Sequence, residues 1–301
     1  MGAERNREKK ERSSFGIFMI SFSISLTVLL AVVLAVMSAV FGPLGSSRTG
    51  QESAPEAAEA GLSYRPDAAA GLNLLVVSVR ERSDAPHAFT LCRFDPANDR
   101  ILLVPIPPET VTTVQARTDT FAGHYGYAGS ANARLAAENL LGCTVGRYVR
   151  LSRGGAVNLI DALGGLTYHF DEGYETDTVS VPAGTHLLNG ELLYEVANAA
   201  PADVQAENWR LTLAGELLVQ QLDAEADDRL DYLMEVFWNN TDTDLSQFDY
   251  TTRRKALTYF LENEEKRVEI FPLSGSWNPE HTEFVPSEQV LSELRGMFEG
   301  E

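Results

Sequence analysis

The chain has 301 residues, enough for one large domain or two modest ones, and 44% of them are hydrophobic, so a sizeable core is available. Its formal net charge of -19 excludes a nucleic-acid surface built on bulk electrostatics, because a polyanion would be repelled at long range. A small local basic pocket remains compatible with that charge.

The charge is unevenly placed. Residues 1–14 carry Arg5, Arg7, Lys9, Lys10 and Arg12 against three glutamates. The uncharged run FGIFMISFSISLTVLLAVVLAVMSAVF follows over 15–41. At about 1.5 Å per residue it can cross a hydrocarbon core of about 30 Å. It is also longer than the ~7–15-residue apolar core of a cleavable signal peptide. The basic flank predicts a cytoplasmic tail over 1–14, a single-pass transmembrane helix over 15–41 and an extracytoplasmic remainder. Residues 42–70 are rich in Ala, Gly, Ser, Pro and Glu and read as a tether. The folded domain is expected over 71–301.

In that domain, LNLLVVSV (72–79) is an apolar run of strand length, and HAFTLCRFD (87–95) and RILLVPI (100–106) are two more strands joined by the hairpin-like DPANDR. SANARLAAENLLG (130–142) has Ala133, Ala136, Ala137, Leu140 and Leu141 on one helical face and a glycine stop. GRYVRLS (146–152) reads as a short strand and GGAVNLIDALGG (154–165) as a helix. A strand at 166–170, an irregular excursion and a helix capped by Asn189 follow. Helices are then expected at 210–222, along DRLDYLMEVFWNNTDT and at 250–262, a late strand at 268–275, and a closing helix at 286–300 with Ser287 as cap. Strands mixed with helices predict an α/β domain with a mixed central sheet flanked by helices.

Cys92 and Cys143 are the only cysteines. An extracytoplasmic setting permits a disulfide; two buried free thiols are the other reading. Dinucleotide, Walker, nucleophile-elbow and zinc-protease motifs are absent from the sequence. The five histidines, His87, His124, His169, His186 and His281, are scattered. Arginine is the more telling class, because its fork of donors binds phosphate bidentately. Arg80 and Arg82 follow the first strand, and Arg117, Arg147, Arg150, Arg153 and Arg210 lie near later strands and helices, without clustering in sequence.

Three stretches together resemble the LytR-CpsA-Psr family of the bacterial envelope. They are NLLVVSV with FTLCRFDPANDRILLVPIPPET (73–79 and 89–110), NARLAAENLLGCTVGRYVRLSRGGAVNLIDALGGLTYHF (132–170) and GTHLLNGELLYEVAN (184–198). The resemblance is strongest over 71–222. It implies a transferase that moves a polymer from a polyprenyl diphosphate lipid onto a hydroxyl of peptidoglycan or a similar acceptor. It also implies an arginine-lined diphosphate pocket, Mg²⁺ held partly by carboxylates, an apolar groove for the lipid and a membrane anchor.

Several positions depart from the family's pattern. The first strand, which ends Gly-Ser/Thr-Asp in the family, ends here at Ser78, Val79 and Arg80. Arg82-Ser83-Asp84 comes three residues early relative to the family's Arg-Ser-Asp-Thr, and ungapped spacing puts His87 on the aspartate position. PIPPET (105–110) replaces Ser-Ile-Pro-Arg-Asp-Thr, with Pro108 for the arginine and Glu109 for the aspartate. Asp203 keeps a later aspartate, but Ala206 and Trp209 stand where two arginines belong, and Arg210 comes one residue late.

From this pattern the sequence predicts a catalytically degenerate, membrane-anchored member. It would have lost most of the expected arginines and would bind a lipid-linked glycopolymer or an envelope partner. The alternative is an active Mg²⁺-dependent transferase that acts through Arg82, Asp84, Glu109, Asp203 and Arg210. In it Arg80, Arg82 and Arg210 hold the diphosphate, and Asp84 and Asp203 hold the metal. A third reading is a surface scaffold or indirect envelope regulator with no small-molecule site.

Overall fold

The structure is a computed structural model that describes residues 64–80, 85–200 and 206–299. The expected anchor over 15–41, most of the tether, Arg82, Asp84 and Asp203 lie outside the described residues. Among the described residues, no helix is long and apolar enough to cross a membrane.

The first apolar run forms β1 (Leu72–Val79), which pairs antiparallel with β2 (Pro86–Asp95). β2 in turn pairs antiparallel with β3 (Arg100–Ile106). The DPANDR turn between them closes on Asp99, held at a left-handed φ of 54°. A hairpin of β4 (Val111–Val114) and β5 (Arg117–Thr120) leads into helix α1 (Phe121–Leu141). The expected 130–142 helix is the second half of α1. Its first half is set off by a kink at Ala128 and Gly129, where Gly129 takes a φ of 70° that a side chain would oppose.

β6 (Arg147–Leu151) and α2 (Arg153–Leu163) follow, with Ser152 capping the helix by accepting from the Gly155 amide. β7 (Leu166–Phe170) is the expected strand, and the excursion after it contains the short strands β8 (Tyr174–Glu175) and β9 (Ser180–Val181) and β10 (Gly184–Leu188), which pairs antiparallel with β7. Asn189 caps α3 (Gly190–Asn198) as expected, its side chain accepting from the Leu192 amide at 3.0 Å. The remaining elements are α4 (Ala206–Gln221), α5 (Leu230–Asn240), β11 (Asp242–Thr243), α6 (Gln247–Glu262), β12 (Arg267–Ile270), the hairpin of β13 (Gly275–Trp277) and β14 (Phe284–Pro286), and α7 (Glu288–Glu299).

The central sheet has the order β11-β6-β1-β2-β3-β12. β1 runs parallel to β6 and β3 parallel to β12, while β2 opposes both β1 and β3. The sheet is therefore mixed, as the sequence predicts. Alternate residues of a strand point to opposite faces. Leu75, Val77 and Val79 of β1, with Phe89, Leu91, Leu102 and Val104, pack against the alanine stripe of α1 and against Leu291, Leu294 and Phe298 of α7. Burying each large apolar side chain there contributes about 1.5–3 kcal/mol. The opposite face, with Leu74 and Val76, looks toward α2, α3 and α4 and is less tightly filled. Cys92 and Cys143 are free thiols, so the disulfide reading does not hold.

Candidate active site at the strand exits

Strand direction gathers the site. The carboxyl ends of β1, β3 and β6 and the start of β2 share one edge of the sheet, the usual location of ligands in α/β proteins. Arg80 follows β1, His87 lies at the start of β2, Glu109 follows β3, and Ser152 and Arg153 follow β6. Behind this edge lies a cavity of about 430 Å³ between the sheet and α2, α3 and α4. Its walls are apolar, with Leu74, Val76, Leu103, Leu159, Leu211 and Ala214 among them. Ser78, His87, Arg153, Glu207 and Arg210 supply polar groups. An apolar cavity with a few polar groups is the usual form of a small-ligand site.

Those polar groups influence one another. The His87 imidazole is held below its ordinary pKa, first by burial and then by the positive charges of Arg210 and Arg80. Its Nδ1 is buried and has no hydrogen-bond partner among the described residues. The Glu207 carboxyl is pushed up, chiefly by burial; Arg210 opposes the shift and Glu109 adds to it. Arg210 Nη2 lies 3.3 Å from Glu207 Oε1. Arg153 pairs with Glu191 and, at 2.8 Å, with Glu195, and its guanidinium sits 5.3 Å from the centre of the Tyr194 ring.

Of the residues predicted from sequence, the structure brings Arg80, Glu109 and Arg210 into one electrostatic neighbourhood. Arg82, Asp84 and Asp203 are outside the described residues. Sequence reasoning left His87, Arg153 and Glu207 out of the site. His87 had a signal, since ungapped spacing placed it on the family's aspartate. Arg153 directly follows a strand exit. Glu207 had none, because a surface glutamate on a helix looks the same in sequence.

The expectation of a phosphotransferase-type fold with most of its arginines missing is overturned. Arg153 and Arg210 line the cavity and Arg80 stands beside it. Arg100 pairs with Asp95 at 3.1 Å, Arg147 with Asp249 at 2.8 Å and Arg254 with Asp227 at 2.5 Å, while Arg153 bridges Glu191 and Glu195. The long side chain of arginine lets a guanidinium reach a site from a backbone position other than the family's own, which spacing in the sequence does not reveal. The one-residue displacement after Asp203 follows from helix geometry. Trp209 turns to the second core cluster, donating to the Val196 carbonyl at 2.9 Å and stacking on Tyr174, which leaves Arg210 facing the cavity.

The proline-rich exit PIPPET has a backbone role. The Pro107 carbonyl accepts from the Thr110 amide, the Pro108 carbonyl from the Ala122 amide and the Thr110 carbonyl from the Phe121 amide, each at 2.9 Å. The turn thus satisfies the first amides of α1, which would otherwise lack partners.

Residues 62–198 match the LytR_cpsA_psr family. Biofilm regulatory protein A of Streptococcus mutans serotype c (strain ATCC 700610 / UA159) is 30% identical over 122 residues, which is 31% of this chain and only 30% of that protein. Among solved structures, a protein from Eubacterium siraeum DSM 15702 shares the fold with a TM-score of 0.70 at 16% identity, over 85% of this chain and all of that one. B. subtilis TagV matches with a TM-score of 0.61 at 16% identity, over 76% of this chain and 95% of its own. TagT bound to LI-WTA matches with a TM-score of 0.59 at 18% identity, over 76% of this chain and 89% of its own. At these identities the structures establish a common fold.

Proposed function

We propose that the chain is a membrane-anchored, extracytoplasmic transferase that moves a polyprenyl-diphosphate-linked glycopolymer onto a hydroxyl of peptidoglycan or a similar acceptor. A role in cell-envelope biogenesis is supported at the level of the family. The carrying observation is the cavity, with apolar walls for a lipid and Arg80, Arg153 and Arg210 for a diphosphate. That two-part character matches a lipid diphosphate and is poorly suited to a wholly polar ligand. TagT, which shares the fold, is known bound to LI-WTA, a further support for a glycopolymer ligand. The 15–41 run is the proposed anchor, which would hold the site near a lipid-borne donor.

In the reaction, the acceptor oxygen forms a bond to the sugar-bearing phosphorus, the bridging phosphate–oxygen bond breaks, and polyprenyl phosphate leaves. The acceptor proton is released. Arg80 and Arg210 stabilise the charge that gathers on the phosphate oxygens, in a mouth where burial weakens competition from water. Arg210 must exchange its Glu207 partner for phosphate, and the raised pKa of Glu207 makes that exchange easier.

Among the described residues, no three His, Cys, Asp or Glu side chains stand together as a metal cage. Mg²⁺ needs only one or two carboxylates when phosphate oxygens complete its shell. The mouth, where Glu109 stands close enough to add to the upward shift of Glu207, has the hard-oxygen chemistry that suits it. Asp84, which adjoins the described segment that carries His87, and Asp203, a few residues before Glu207, are the proposed ligands. The ion would supply Lewis-acid stabilisation of the leaving oxygen.

The test is incubation of the full chain with a polyprenyl-diphosphate-linked glycan, a peptidoglycan acceptor and Mg²⁺, following release of polyprenyl phosphate. Release that depends on Arg210 is expected. Release no faster than a protein-free blank, across donors of several glycan types, overturns the reading.

A further inference from the structure

The diphosphate mouth contains a titratable group besides its arginines and carboxylates. His87 lines the cavity at the start of β2, between the exit of β1 and the first turns of α4. Its Nδ1 is buried without a partner among the described residues. Leaving a buried polar atom unpaired is costly, and such atoms call for an explanation. A ligand oxygen, met by a turn of the ring that already lines the cavity, is one.

The charges around His87 explain why it waits. The charges of Arg80, just past β1, and of Arg210 on α4 act on it, and Arg153 lines the same cavity from α2. The acids of the mouth are Glu207 on α4 and Glu109 after β3, and Glu207 is already engaged with Arg210. A third positive charge beside Arg80 and Arg210 is therefore unfavourable in the free protein. A diphosphate reverses that balance by adding at least two negative charges at the same point. We propose that His87 is a proton-linked phosphate contact: diphosphate binding places a proton on its imidazole, which then donates a hydrogen bond to a phosphate oxygen. The proton comes from solvent, and no covalent bond changes. The inference rests on the reading of this cavity as a diphosphate site.

Proton linkage sets the size of the effect. A ligand whose binding takes up one proton binds up to about tenfold more tightly per unit fall in pH, within the window bounded by the free and bound pKa values of His87. The free value lies below the ordinary histidine value, so the window opens on the acid side of neutrality, and it reaches neutral pH because the proposal requires the diphosphate to hold the bound imidazolium above pH 7.

The experiment is titration calorimetry of the full chain in detergent with farnesyl diphosphate at pH 7, in buffers of different ionisation enthalpy. The ligand's own proton exchange is subtracted. Uptake approaching about one proton per ligand is expected for the wild type. His87→Gln is expected to bind more weakly at pH 7 and to lose both the uptake and the pH dependence. Glu207→Gln, which removes the rival proton acceptor, is expected to keep the uptake. Binding without uptake in the wild type overturns the proposal, and so does uptake that survives His87→Gln or disappears in Glu207→Gln. Should His87→Gln fail to fold, the ring-carbon NMR shift of His87 in the wild-type chain gives the answer. It must move to the imidazolium position at saturation, and a neutral shift refutes the idea. Absence of any binding by the wild type defeats the diphosphate reading itself, a result distinct from binding without protons.

Discussion

Arg147 meets Asp249 through two parallel hydrogen bonds, Nε to Oδ2 at 2.9 Å and Nη2 to Oδ1 at 2.8 Å. The fork ties β6, whose far end opens onto the cavity, to the first turn of α6. Asp249 also completes a capping box with Ser246. Burial on its own would raise the Asp249 carboxyl, but the bonds from Arg147 and Ser246 prevail and hold it at about 2. Its folded pKa is depressed, so its stabilising contribution is present above the ordinary aspartate pKa and is lost as pH falls toward 2. The contribution is about 2 kcal/mol. Asp249→Asn is expected to lower stability by that order at pH 7 and to flatten the decline between pH 4 and pH 2. Urea unfolding across that pH range checks it; an unchanged slope would show that the fork carries little of the acid sensitivity.

Arg210 is the arginine of this mouth on which the proposed chemistry leans most. Arg210→Ala is expected to reduce kcat/KM for transfer by about 10²–10³, the usual loss for one preorganised donor to developing charge. Arg210→Lys should recover only part, because an ammonium cannot form the planar fork. Arg254 supplies the contrast. It pairs with Asp227 away from the cavity lining, with about a third of its side chain exposed, and Arg254→Ala should change transfer little while costing about 0–1 kcal/mol of stability. Steady-state kinetics beside thermal melts separates the two. Equal kinetic losses in both variants would remove Arg210 from the site.

Much of the fold was legible because its elements obey local rules. The runs at 72–79 and 100–106 are strands to the residue, and Asn189 and Ser287 sit at the helix starts where their side chains cap. The β4–β5 hairpin was not legible. Its turn residues Gln115 and Ala116 take φ values of 48° and 66°, and neither residue type advertises that conformation. The first half of α1 carries Gly123, Gly126 and Gly129, residues that disfavour a helix interior, and it was not predicted. The site was harder still. Its arginines come from the exits of β1 and β6 and from α4, and proximity created by strand direction leaves no trace in linear spacing. The supposed loss of arginines was thus an artefact of comparing position with position, where the chemistry asks only that guanidinium groups converge.

The apolar part of the cavity has its own consequence. Ala214 on α4 lines it as a small residue among leucines, so a large side chain there fills space that the lipid would use. Ala214→Trp is expected to weaken farnesyl diphosphate binding at least about tenfold, in line with the loss of several buried methylenes at ~0.8 kcal/mol each. Inorganic pyrophosphate, which needs only the mouth, should bind as before. Parallel titrations with the two ligands decide it. Equal weakening of both would place the lipid outside this cavity or point to a distorted mouth.

The thiols report on the same cavity. Cys92 lines it, and burial pushes its thiol up to about 12; Cys143, raised to about 11 by burial and by Glu299, lies elsewhere. Alkylation proceeds through the thiolate. At pH 8 the thiolate fraction of Cys92 is therefore about a thousandfold below that of an ordinary cysteine. Iodoacetamide should modify both sites slowly in the native chain and rapidly in urea, where both return to ordinary reactivity. Farnesyl diphosphate should slow Cys92 further, because it covers the thiol and opposes opening of the cavity, and should leave Cys143 unchanged. Peptide mass spectrometry reads each site separately. A Cys92 rate indifferent to the ligand, with binding shown independently, would mean that the lipid does not enter between the sheet and α4.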